Sequence, residues 1–77
     1  MEIKVLGPGC AKCKEAERLV CEVVRETGIN ASVEKISDLQ KIAGYGVFST
    51  PAIVIDDDVK VVGKVPTKNE LLSWIKA

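Results

Sequence analysis

The period of the apolar positions switches between two and about 3.6 along the chain, and each switch marks an element. From Met1 to Leu6 the residues alternate as in a strand. Ile3 and Val5 fall on one face and Lys4 and Leu6 on the other, as for a central strand covered on both sides. From Ala11 to Thr27 the period becomes helical. Ala16, Leu19, Val20, Val23, Val24 and Thr27 line one side, and Lys14, Glu15, Arg18, Glu22, Arg25 and Glu26 the other. Gly28 supplies the stop. Ala31 to Ile36 alternates again and predicts a second strand, with Ala31, Val33 and Lys35 opposite Ser32, Glu34 and Ile36. A strand–helix–strand unit of this kind implies a parallel pair with a right-handed crossover.

Ser37 or Asp38 can cap a short helix over Leu39 to Ala43, which Gly44-Tyr45-Gly46 breaks. A loop from Val47 to Thr50 then meets Pro51. Ala52-Ile53-Val54-Ile55 is the most apolar run and predicts a buried strand. Asp56-Asp57-Asp58 reads as a tight, solvated turn into a hairpin partner, Val59 to Val62, which Gly63 ends or bulges. Thr67 with Glu70 three residues on forms a capping box for a last helix, Lys68 to Lys76. Leu71, Leu72 and Ile75 with Trp74 give that helix a broad apolar face. The order is β-α-β-α-β-β-α, a single α/β domain over residues 1–77 with no repeat or linker.

Composition narrows the function. A chain of 77 residues that is 47% hydrophobic and 29% charged is a small globular domain rather than a disordered segment. Eleven basic residues are offset by eleven acidic ones without a basic run, which argues against a nucleic-acid partner. Tyr45, Phe48 and Trp74 are too few for a base-stacking platform. No stretch approaches the roughly 20 apolar residues of a membrane span. Glu2 and Lys4 stand where a signal peptide would be apolar, so the chain is expected to be cytoplasmic, where structural disulfides are rare.

The chemistry concentrates in Gly7-Pro8-Gly9-Cys10-Ala11-Lys12-Cys13. A Gly-Pro-Gly turn delivers two thiols, three positions apart, to the start of a helix. At that spacing they can reach one another to form a disulfide. The unpaired N–H groups of the first turn favour a thiolate, and Lys12 and Lys14 add positive charge. Cys10 is therefore expected to titrate below about 8.5. Two other readings stand beside this one: a soft-metal dithiol module, since two thiolates suit Cu(I), and a pair of inert small hydrophobes. A closed zinc site needs four ligands, and the chain has three cysteines and no histidine. Cys21 lies at the edge of the helix's apolar face and reads as a filler. Tyr45 and Phe48, in the segment leading to Pro51, are candidates for core positions or for an apolar rim beside Cys10.

The Cys10-Ala11-Lys12-Cys13 pair after the first strand, together with Thr50-Pro51 immediately before the third, resembles thioredoxins and glutaredoxins, above all their smallest redox-active disulfide members. The resemblance covers essentially the whole chain. It implies the minimal thioredoxin-like fold, a four-stranded mixed sheet with helices on both faces. It also implies thiol–disulfide oxidoreductase activity, as a small reductase or electron carrier. By family position Cys10 is the nucleophile, Cys13 the resolving thiol, and Pro51 follows a cis peptide bond. The backbone of Thr50 pairs with substrate. Gly9, in the turn, and Lys12, by its charge, are expected from the residues themselves to support the site. The cofactor is the Cys10–Cys13 disulfide itself, with no metal. The partners are a disulfide-bearing protein and a thiol reductase system. A monomer is the expectation, since nothing in the sequence demands a dimer. A non-catalytic binding domain of the same fold is a further alternative. The chain departs from thioredoxins in having Gly9 where they carry a tryptophan and Ala11-Lys12 between the cysteines. Gly63 is followed by Lys64 where glutaredoxins carry a second glycine for glutathione, so glutathione is not an expected ligand.

Overall fold

The computed structural model describes residues 1–9 and 11–76. Its elements are β1 (Glu2–Leu6), α1 (Ala11–Thr27), β2 (Ser32–Ile36), α2 (Leu39–Gly44), β3 (Ala52–Ile55), β4 (Asp58–Val62) and α3 (Lys68–Lys76). The strands form one sheet in the order β2-β1-β3-β4. β1 runs parallel to β2 and antiparallel to β3, and β3 is antiparallel to β4. This is the small mixed α/β sheet that the thioredoxin resemblance implies.

Alternation along β1 sends its side chains into two separate cores. Ile3 and Val5 join Ala16, Val20 and Val23 of α1, Ile53 and Ile55 of β3, Val61 of β4, and Leu71 and Ile75 of α3. Leu6 joins Ile36, Ile42 of α2, Val47, Ala52 and Val54 on the other face. Two helices thus cover one face and α2 the other, with Trp74 half-buried against the first core. β3 is buried at every position, as its unbroken apolar run demands.

The element ends differ slightly from the sequence reading, for local reasons. Asp38 rather than Ser37 caps α2, its Oδ1 accepting from the Gln40 N–H at 2.9 Å. Asp56 and Asp57 alone make the hairpin turn, both with positive φ (48° and 67°), so Asp58 already belongs to β4. The pair suits a two-residue turn because aspartate tolerates the left-handed region. Val61 and Val59 face consecutive residues of β3, Ile53 and Val54, so the bulge falls at Lys60 and not at Gly63.

The capping box at α3 is closed in both directions. The Thr67 N–H donates to Glu70 Oε1 at 3.0 Å, and the Glu70 N–H to Thr67 Oγ1 at 3.1 Å. The bond from the Thr67 backbone is the main reason the Glu70 carboxyl lies below its ordinary range. A carboxylate lowered in the folded state contributes stability that is complete above its unfolded value, about 4.3, and is lost as pH falls through the folded one. Thr67→Ala should lower stability in a urea melt by about 1 kcal/mol. Glu70→Gln should flatten the decline in stability below a pH of about 4.

Candidate active site

β1 points at the site. Its register with β2 pairs Val5 with Lys35 and Leu6 with Ile36, and the Gly7 N–H continues the ladder by donating to the Ile36 carbonyl at 2.9 Å. By the alternation of β1, Gly7 falls on the Ile3–Val5 face, beneath the start of α1. Space there is fully taken. A β-carbon at Gly7 would overlap Cys13 Sγ, stand 2.9 Å from Cys13 Cβ and 3.8 Å from Thr50 Cβ. Gly7 and Cys13, six residues apart, and Thr50, 37 residues further on, therefore meet at one point. Gly9 has φ 99°, a conformation open to glycine, and turns the chain from strand to helix.

Cys13 is the third residue of α1 and wholly buried. Lys12 is exposed beside it, and α1 has no acidic residue in its first turn, where a carboxylate would offset the positive end of the helix most strongly. Cys10, the candidate nucleophile, lies outside the described residues. Cys21 is half-buried, one face away from the centre of the α1 core stripe.

The loop before β3 forms the opposite wall. Thr50 is half-buried, Pro51 fully buried, and the peptide bond between them is cis. The loop is held from the β4 side: the Gly63 N–H donates to the Pro51 carbonyl at 2.9 Å, and Ser49 Cβ would touch a β-carbon at Gly63 at 3.2 Å. Of the two aromatic candidates for a rim, Tyr45 is engaged elsewhere. Lys4 Nζ donates to its hydroxyl at 2.8 Å and stands 5.5 Å from its ring centre, and this bond is the main cause that raises the Lys4 pKa. Phe48 points outward, 86% exposed.

Two residues at the site were not singled out from sequence. One is Gly7, read only as part of a turn. The other is Lys35, whose Nζ lies 3.9 Å from where a β-carbon of Gly9 would be. Strand parity carried both signals, since Gly7 continues the face of Ile3 and Val5, and Lys35 is the register partner of Val5.

The chain matches the family model described as Thioredoxin domain over residues 1–76. The chain belongs to the thioredoxin family. It is 37% identical over 71 residues to a thioredoxin of Methanothermobacter thermautotrophicus, covering 92% of each chain. Two thioredoxins of Methanocaldococcus jannaschii are 36% and 40% identical, over 97% and 91% of this chain and 86% and 85% of their own. Full-length similarity to thioredoxins of this kind makes it a thiol–disulfide oxidoreductase. Within that family frame, the junction of Gly7, Cys13 and Thr50 is where strand, helix and loop converge on the dithiol segment. No helix among the described residues is long and apolar enough to cross a membrane. No group of three or more histidine, cysteine or acidic side chains among them is placed to hold a metal ion.

Proposed function

We propose that the protein reduces disulfides of other proteins, with Cys10 as the nucleophile and Cys13 as the resolving thiol. The observation that carries this reading is the burial of Cys13 on the first turn of α1, against Gly7 and beside Thr50, three residues after Cys10. The Cys10 thiolate attacks one sulfur of the substrate disulfide. The substrate S–S bond breaks, its second sulfur leaves as a thiolate and takes a proton, and a mixed disulfide forms. Cys13, deprotonated, then attacks the Cys10 sulfur. The remaining substrate sulfur is released, and the protein keeps the Cys10–Cys13 disulfide. A thiol reductase system returns two electrons and two protons.

The first turn of α1 supports the thiolate through its free N–H groups, with Lys12 adding charge. Thr50 offers backbone groups to an extended substrate segment, and Pro51 and Gly9 shape the walls. No organic cofactor or metal takes part. A reducing compartment, the cytoplasm, suits a dithiol that must be recharged after each turnover.

The test is reduction of the interchain disulfides of insulin by the reduced protein, together with a redox titration. Stoichiometric reduction, with a midpoint near or below about −250 mV, is expected for an electron donor. A midpoint near about −120 mV would make the protein an oxidant instead. Failure of mild oxidation to link Cys10 to Cys13 would remove the proposal. The rate of alkylation at Cys10 should also rise through a midpoint below about 8.5.

A further inference from the structure

The net charge of the chain is zero, but the charges are not evenly placed. Asp56 is bonded to the start of β1 in both directions: its N–H donates to the Glu2 carbonyl, and its Oδ1 accepts from the Glu2 N–H, each at 2.8 Å. The acidic hairpin, Asp56-Asp57-Asp58, therefore sits at one end of β1. The Gly7–Gly9 segment leaves from the other and leads to the start of α1. Around that second end stand exposed Lys12 and Lys14, exposed Arg18 on the next turn of α1, and exposed Lys35 against Gly9. None of these four enters an ion pair among the described residues, and they outnumber the exposed carboxylates at that end, Glu15 and Asp38, by four to two. The acidic hairpin, by contrast, is paired with Lys4 and Lys60.

Distance decides whether the two poles cancel. Five residues of strand span roughly 17 Å. Charges that far apart are separated by about two Debye lengths at physiological salt. The basic end therefore presents its own field to an approaching partner. An open cleft of about 300 Å³ runs along it, lined by Ala11, Lys14, Glu15 and Arg18, with two cations against one carboxylate. Phe48 stands two residues before Thr50 with 86% of its surface free. The cations lie on α1 and β2, and the aromatic ring on the loop before β3. Features spread over three elements suit an extended polypeptide better than a compact small molecule.

We infer that this face docks a polypeptide whose disulfide is flanked by acidic side chains, with Phe48 covering an apolar residue of the same segment. This inference rests on the oxidoreductase reading and names its substrate class. Acidic flanks would settle against Lys14, Arg18 and Lys35, and the field would steer their approach.

The experiment compares kcat/KM for peptides that share one disulfide loop but carry glutamate, serine or lysine flanks, at ionic strengths of about 0.02 M and about 0.5 M. The glutamate peptide should be reduced about tenfold faster than the lysine peptide at low salt. At high salt the two should agree within about twofold. Lys14→Glu with Lys35→Glu should invert the preference, whereas Lys60→Glu, at the acidic end, should leave it in place. Phe48→Ala should lower, several-fold, the ratio of the serine-peptide rate to that of a small uncharged disulfide. Equal rates for the three peptides, or a preference indifferent to salt, would overturn the inference while leaving the oxidoreductase reading intact. So would a response to Lys60→Glu as large as that to the paired substitution, or an unchanged ratio for Phe48→Ala. If neither the serine peptide nor the small disulfide is reduced at all, the reading beneath it fails as well.

Discussion

Cys10→Ser should reduce turnover of a protein disulfide by about three orders of magnitude or more, to the background rate. Cys13→Ser should instead stop the reaction half-way, with the substrate held on Cys10 as a mixed disulfide. The asymmetry follows from burial. Cys13 exposes no surface, packed against Gly7 at the point that Thr50 also reaches, so it cannot meet a disulfide carried by another protein. Its one accessible target is a sulfur brought to it by its neighbour in the chain. Hydroxyl groups at either position are poor substitutes, because exchange requires a thiolate. The measurement uses the reduced protein as sole reductant and follows adducts on a non-reducing gel and by mass spectrometry. Persistent turnover in Cys10→Ser would contradict the assignment, as would release of free substrate thiols at the normal yield in Cys13→Ser. Cys21→Ser should retain the full rate. Its half-buried side chain lies on α1 two turns beyond Cys13, outside the junction with Gly7 and Thr50.

Much of this arrangement can be read from period alone. The α1 limits, Ala11 and Thr27, coincide with the start and stop of the helical pattern, and the start of α3 follows from the Thr67–Glu70 box. β3 is equally legible, because four successive apolar residues bounded by proline and aspartate leave little alternative. Legibility falls where one residue's role depends on a distant one. Tyr45 reads as a loop aromatic, yet its hydroxyl is tied to Lys4, 41 positions away. Nothing local distinguishes it from Phe48, which has no such partner in the core and remains at the surface. The Lys60 bulge is hidden for the same reason: only the facing strand determines which residue of Val59-Lys60-Val61 is left over.

The two ends of β1 also explain how one small sheet separates stability from chemistry. At the start of the strand, polar groups are satisfied by one another. The Asp56 turn closes on Glu2, and Lys4 is held by Tyr45 and lies 3.9 Å from Asp57. At its end, the backbone of Gly7 is bonded but the surrounding cations enter no ion pair among the described residues. Charge left without an internal partner is charge available to a ligand. The sheet thus places its self-contained polar contacts and its reactive groups about 17 Å apart.

Gly7→Ala should be the most damaging single methyl group that can be added near the site. Gly7 is buried, and the new β-carbon would occupy the space of Cys13 Sγ and crowd Cys13 Cβ at 2.9 Å. A rotation of Cys13 could clear the sulfur but not its β-carbon, which is fixed to the helix backbone. The first turn of α1 would therefore have to move away from β1, or the ladder bond from the Gly7 N–H to Ile36 would have to stretch. Overpacking of this kind costs about 1–3 kcal/mol. A urea melt should show that loss, and displacement of Cys13 should slow resolution of the mixed disulfide. Gly9→Ala offers a contrast, because its nearest neighbour would be Lys35 Nζ at 3.9 Å and its penalty would come from φ 99° rather than from a clash. A double-mutant cycle separates the causes. Cys13→Ala removes the sulfur but keeps the β-carbon, so it should relieve part of the Gly7→Ala penalty and none of the Gly9→Ala penalty. Strict additivity of Gly7→Ala with Cys13→Ala would show that the two residues do not compete for the same space.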